Sequence, residues 1–241
     1  MGEDLPKAAQ QKLILALDFA SADQAYDFAT GLGFKHIVFK IGLELLYAGG
    51  QDLIKSLAEK GYSVFVDAKL LDIPNTVERT AAQIAKLGAD YLTVHVHDTE
   101  TAKAAKRGTE GSALKLLGVT VLTSLSPEAV KAQGAALSLK ALALLRAVFA
   151  QDGGFYGVIA SPHELEAMKN RFGDGLQLFT PGIRLSSATV EGDDQARTAT
   201  PFDAIKAGAD AIVVGRPILR AQDPKAAARG IIGEIARALA S

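Results

Sequence analysis

The chain has 241 residues, 49% of them apolar and 22% charged, with no cysteine and a formal net charge of −1. Disulfides, thiolate catalysis and thiolate metal sites are therefore excluded, and the charge balance offers no general field for nucleic acid or an anionic membrane surface. No stretch approaches the roughly 18 consecutive apolar residues that a bilayer-spanning helix needs.

Residues 1–11, starting Met1-Gly2-Glu3-Asp4-Leu5-Pro6-Lys7, lack a basic-then-apolar signal pattern and read as a flexible arm. A cytoplasmic protein without nucleic-acid or membrane partners is the expectation. Apolar runs of strand length then recur at 13–18, 36–41, 63–69, 91–96, 115–122, 157–160, 176–180 and 211–215. Helix-like segments separate them. The clearest is 128–150, where Leu142, Leu145, Val148 and Phe149 share one side. Gly-Ala-Asp stands before two of the strands, at 88–90 and 208–210, where glycine suits a helix end turning into a strand. Eight strand–helix units imply parallel strands with right-handed crossovers. Eight is also the number that closes a (β/α)8 barrel. The pattern predicts one domain over 12–241, an α/β (β/α)8 TIM barrel; an open doubly wound sheet is the alternative.

Polar residues gather at the C-terminal ends of these runs, where such barrels place their active sites. They are Asp18, Lys40, Asp67, Lys69, Thr123, Ser124, Arg184 and Arg216. The densest stretch is Val64-Phe65-Val66-Asp67-Ala68-Lys69-Leu70-Leu71-Asp72-Ile73-Pro74-Asn75-Thr76. Side chains alternate along a strand, so Asp67 and Lys69 point to one face, with Asp72 just beyond the strand. Burying such charges is costly unless they are paired. That cost marks a candidate active site, against the alternative of a structural ion pair in the barrel mouth.

Several motifs resemble orotidine 5′-monophosphate decarboxylases, in that family's order and over nearly the whole chain. They are Leu17-Asp18, Phe39-Lys40-Ile41-Gly42, Asp67-Ala68-Lys69-Leu70-Leu71-Asp72-Ile73-Pro74-Asn75-Thr76 and Val119-Thr120-Val121-Leu122-Thr123-Ser124. Thr180-Pro181-Gly182-Ile183-Arg184, Asp194-Gln195-Ala196-Arg197 and Val214-Gly215-Arg216-Pro217 complete the set. Where bacterial relatives often read His-x-x-Gly-Gly after strand four, this chain has His95-Val96-His97-Asp98-Thr99.

The resemblance implies conversion of orotidine 5′-monophosphate to UMP without cofactor or metal, in pyrimidine nucleotide synthesis. It also implies a homodimer with shared sites. Lys40, Asp67 and Lys69 would come from one subunit, and Asp72, Ile73 and Thr76 would reach into the partner's site. Lys69 would stabilise the negative charge left at C6 and protonate it. Alternating charges, Lys–Asp–Lys–Asp, would give each buried ion opposite neighbours. Asp18 would accept from the ribose hydroxyls; its alternative is to cap the helix that follows. Gly215 and Arg216, with Arg184 and Gln195, would clamp the phosphate after strands seven and eight. The long polar segment 185–199 reads as a lid carrying Gln195. Thr123 or Ser124 would meet the pyrimidine edge.

Ser126-Pro127-Glu128 reads as a helix start, and His163 as a first-turn helix residue. His95 and His97 share a face but lack a third ligand at a metal-binding spacing. Gly31-Leu32-Gly33 follows a helix rather than a strand, unlike a dinucleotide fingerprint. Two other functions compete: an Mg²⁺-dependent sugar-phosphate lyase of a related barrel, of the hexulose-phosphate synthase or ketogulonate-phosphate decarboxylase type, and a catalytically silent nucleotide-binding protein.

Overall fold

A computed structural model describes residues 5–184 and 199–241. The strands are β1 (Leu13–Ala16), β2 (Val38–Gly42), β3 (Ser63–Leu70), β4 (Tyr91–His95), β5 (Lys115–Val119), β6 (Gly157–Ile159), β7 (Gln177–Thr180) and β8 (Ala211–Val214). They form a closed barrel in sequence order. Closure is made by β1 against β8, parallel, with Ile14 opposite Val213. The alternative of an open sheet is thereby set aside.

The barrel closes because each strand carries two apolar faces. Leu13, Leu15, Leu92, Val94, Leu116 and Leu178 point outwards and join the main core beneath the helices. Ile14, Val38, Phe65, Leu117, Phe179 and Ala211 form a second core inside the barrel, joined by Tyr91, Ile159 and Val213. Burial on both faces is what makes such strands read as continuous apolar runs. The N-terminal end of the barrel is floored with rings. Tyr91 lies 5.4 Å from Phe179 and 6.1 Å from Phe65. The Lys115 ammonium sits 4.6 Å from the centre of the Tyr156 ring, a cation–π contact that covers this floor.

The Gly-Ala-Asp repeat has a use beyond the helix-to-strand turn. Gly88 and Gly208 do take the left-handed conformation, at φ 83° and 104°. The aspartates that follow clip the preceding strand. Asp90 Oδ2 accepts from the Val64 amide at 2.9 Å while its own amide donates to the Val64 carbonyl. Asp210 repeats both contacts on Leu178, with the carboxylate again at 2.9 Å.

Three expectations need correction. Residues Lys7–Gln10, placed in a flexible arm, form a short helix against Pro224–Ala240 with Ala9 fully buried. The fifth run ends earlier than 122, because the last ladder pair with β4 is His95–Val119. The segment 128–150 is two helices, Pro127–Ala132 and Leu139–Asp152, separated by Gly134 at φ 84° and restarted by Ser138 as N-cap. Its second helix buries Ala143, Ala147 and Ala150, while Leu145 is exposed and Leu142, Val148 and Phe149 are half-buried. Small residues win that face because the helix lies close to its neighbours.

Candidate active site

The inward-facing positions change character along the barrel axis. On β2, Val38 at the interior core is followed two residues later by Lys40; on β3, Phe65 is followed by Asp67. The floor is apolar and the mouth is charged. Asp67 is buried, and its Oδ2 lies 3.3 Å from Lys40 Nζ and 2.7 Å from Lys69 Nζ. Lys40 Nζ also stands 4.0 Å from Asp18 Oδ1. Four charges of alternating sign thus run Asp18–Lys40–Asp67–Lys69 within one chain. Burial alone would raise the Asp67 carboxyl's pKa; the Lys40 and Lys69 ammoniums, with hydrogen bonds from Lys69 and Thr93, outweigh it and hold the pKa below the usual carboxylate value.

Local backbone geometry brings Lys69 to this position. The β3–β4 ladder shifts between Val66–Leu92 and Leu70–Val94, so four steps on β3 match two on β4. Inside this bulge Lys69 has φ 46°, the single non-glycine residue with positive φ among those described. A left-handed side-chain-bearing residue costs roughly 1–2 kcal/mol, and such strain concentrates at functional sites. The Lys69 amide is satisfied by Thr93 Oγ1 at 2.9 Å, and that hydroxyl donates to Asp67 Oδ1 at 2.8 Å.

Lys40, Asp67 and Lys69 line a cavity of about 300 Å³ at the barrel mouth. Its other walls include Val119, Leu122, Thr123, Ser124, Ile159 and Pro181. Apolar walls around a few convergent charges are the ordinary make-up of a small-molecule site. Asp18 does not cap the following helix: Ser21 does so, accepting from the Gln24 amide. Gly215 lies beside Asp18; a Cβ there would stand 3.0 Å from Asp18 Oδ2. Arg216 begins the short helix Arg216–Leu219 after β8. Arg184 follows β7, its Nη1 donating to the Ile183 carbonyl at 2.8 Å. Ile183 and Ala199 form a parallel bridge. Gln195 and the expected lid, apart from its last residue Ala199, lie outside the described residues.

Asp72, Ile73 and Thr76 do not enter this chain's own cavity. All three are exposed, and Asp72 Oδ1 accepts from the Ile73 amide at 2.8 Å. Leu71 beside Asp72 is also exposed, as are Leu43 and Tyr47, which line a groove with Thr76; Tyr47 is exposed to 91%.

Thr93 and His95 belong to the site's surroundings although the charge pattern did not single them out. Their signal was a polar residue at every second position of β4 above Tyr91. The His95 pKa is pushed down to about 4 by burial, then by His97, Arg146 and Lys69, with Asp67 opposing. Its Nδ1 is buried with no hydrogen-bond partner among the described residues. The His95 and His97 rings are 5.4 Å apart, and no group of three or more His, Asp or Glu that could hold a metal occurs among the described residues. In place of a glycine pair, Asp98 caps the helix Thr99–Gly108, accepting from the Thr101 amide at 2.7 Å. Ser126 likewise caps its helix, and His163 falls in the turn Pro162–Glu164.

The chain is similar to known proteins along nearly its whole length. Residues 11–231 match the model of the orotidine 5′-phosphate decarboxylase / HUMPS family. The orotidine 5′-phosphate decarboxylase of a Bradyrhizobium species is 47% identical over 233 residues, covering 97% of this chain and 95% of that protein. That of a Methylobacterium species is 45% identical over 236 residues, covering 97% and 99%. Among solved structures, orotidine 5′-phosphate decarboxylase from Lactobacillus acidophilus superposes with a TM-score of 0.83 at 38% identity, covering 96% of this chain and 99% of that one.

Proposed function

The chain belongs to the orotidine 5′-phosphate decarboxylase / HUMPS family, and from that premise we propose that it decarboxylates orotidine 5′-monophosphate to UMP, with Lys69 stabilising and protonating the reacting carbon. The observation that carries this reading is the Lys40–Asp67–Lys69 array at the cavity wall. When the bond from C6 to the carboxylate breaks, CO₂ departs and the electron pair stays on C6. An ammonium fixed beside that carbon lowers the energy of the developing charge more than that of the substrate, which is the condition for catalysis. The same ammonium then gives its proton to C6, and the amine is reprotonated from solvent. Lys69 suits this task because its side chain is one-third exposed into the cavity while Asp67 pins it from behind. Lys40 meets the same oxygen of that carboxylate and ties it to Asp18, which would take the ribose hydroxyls. Gly215, Arg216 and Arg184, grouped after β7 and β8, would hold the phosphate; barrels commonly bind phosphate there.

The site is completed by a second copy of the chain. Leu43, Tyr47, Leu71 and Ile73 are exposed; Leu71 and Ile73 flank Asp72 at the exit of β3, and Leu43 and Tyr47 line a groove with Thr76. Exposed patches of this kind mark association surfaces. A two-fold dimer through this face would place Asp72, Ile73 and Thr76 at the partner's cavity, where Asp72 extends the alternation beyond Lys69.

The magnesium-dependent lyase reading is less well supported, because the Asp67 carboxylate already has two ammoniums within 3.3 Å. A divalent ion there would meet like charge on both sides. Loss of ultraviolet absorbance from orotidine 5′-monophosphate, followed with purified protein in excess chelator, tests the proposal. Undiminished turnover supports it; turnover that requires added Mg²⁺ transfers support to the lyase reading.

A further inference from the structure

The Thr93 hydroxyl is held by two hydrogen bonds in the molecule's interior. Its residue is fully buried on β4, directly below the charged mouth. The Oγ1 atom lies 2.9 Å from the Lys69 amide nitrogen and 2.8 Å from Asp67 Oδ1. A hydroxyl has one proton to give and lone pairs to receive. The ionised carboxylate can only accept and the amide can only donate, so the direction of both bonds is fixed: Thr93 accepts from Lys69 and donates to Asp67.

The position of these bonds matters as much as their number. The ladder between β3 and β4 loses its register at this point, with two extra residues on β3. A bulge leaves backbone groups without their ladder partners. The Lys69 amide is one such group, and a buried orphan amide is costly. A side-chain hydroxyl on the neighbouring strand replaces the missing acceptor, and Lys69 keeps its left-handed φ of 46°. The same hydroxyl holds Oδ1 of Asp67, leaving Oδ2 to be shared by Lys40 and Lys69.

We propose that Thr93 is a positioning residue of the active site: one hydroxyl sets both the backbone conformation that turns Lys69 into the cavity and the carboxylate orientation that lets Asp67 face two lysines. Its kinetic consequence rests on the decarboxylase reading; its structural consequence does not.

The test compares Thr93→Val, which keeps the shape and removes both bonds, with Thr93→Ser, which keeps the hydroxyl. Each is read by crystal structure, by kcat and KM for orotidine 5′-monophosphate, and by the pH profile of kcat/KM. In Thr93→Val, Lys69 is expected to leave its positive φ or its 2.7 Å contact with Asp67. The kcat should fall about ten- to a hundredfold, the scale of a small misplacement of reacting groups, with KM changed less than about threefold. The acidic limb of the profile should move to higher pH, because Asp67 loses a donor while Lys40, Lys69 and neutral His95 remain around it. Thr93→Ser should recover most of the rate. Thr93→Val that keeps the Lys69 geometry, the wild-type kcat and the wild-type profile overturns the inference, as does Thr93→Ser impaired as severely as Thr93→Val. If Thr93→Val fails to fold, Thr93→Cys replaces it; its weak thiol bonds should give a rate below that of Thr93→Ser, and wild-type turnover there overturns the inference. Should the wild-type protein not decarboxylate the nucleotide, the decarboxylase reading fails, and the Lys69 geometry in the variant still decides the role of Thr93.

Discussion

Lys69 and Lys40 share a single oxygen, Oδ2 of Asp67, at 2.7 and 3.3 Å. Neither lysine is independent of the other: removing the carboxylate would leave two ammoniums facing each other at the cavity wall. The site is a chain of charges, and each member's loss has a distinct signature.

Lys69→Ala should abolish most turnover, by about a thousandfold or more, since general-acid and electrostatic contributions are both removed. UMP binding, measured by calorimetry, should change by less than about fivefold, because the lysine acts mainly in the transition state. Turnover near the wild-type value would remove Lys69 from the reaction.

Asp67→Asn should destabilise the fold by about 3 kcal/mol, the scale for breaking a buried ion pair from one side. Urea unfolding at neutral pH measures this. The sign with pH follows from the lowered Asp67 pKa. The carboxylate's stabilisation is fully present above its unfolded value of 3.8 and is lost as pH falls below that towards the folded value. The variant should lack this acid-dependent loss; an identical acid profile in both proteins would contradict the pairing.

His95 predicts a second pH dependence, in a higher window. Its native pKa of about 4 lies below the ordinary 6.5. Between those values the unfolded chain binds a proton that the native chain does not, so stability falls as pH drops from about 6.5 towards 4. His95→Phe should flatten this part of the curve, read from urea midpoints across pH 4.5–7. A wild-type midpoint independent of pH there would mean His95 is not held neutral.

Mixing Asp72→Ala with Lys69→Ala tests the shared site. Random exchange makes half the dimers mixed, each with one intact site, so about a quarter of wild-type activity should return. Verified exchange without recovery would place Asp72 outside the partner's site. Ile73→Asp should independently weaken the dimer in sedimentation experiments.

The strands and the charged array were legible in the sequence for the same reason. Residues 64–66 form an apolar run that a buried strand demands, and Asp67 and Lys69 break it where only paired charges are tolerable. Other features left no such mark. The split at Gly134 lies inside a helix-forming stretch, and the buried face of Leu139–Asp152 is alanine, whose small apolar surface barely shapes a periodicity. Thr93 is an ordinary strand residue until a bulge on the adjacent strand gives its hydroxyl two partners. The helix Lys7–Gln10 depends on Ala9 finding a distant helix to cover it. Which chain's cavity Asp72 serves is a question one polypeptide's pattern does not contain.

The ring-packed floor of the barrel carries a consequence for traffic. Tyr91, Tyr156 and Phe179 stop up one end, with Lys115 laid across two of the rings. The barrel is thus a blind shaft, and on the proposed reaction carbon dioxide set free above Asp67 would have to leave through the doorway by which the nucleotide enters. Gas and nucleotide would then share one exit at the rim.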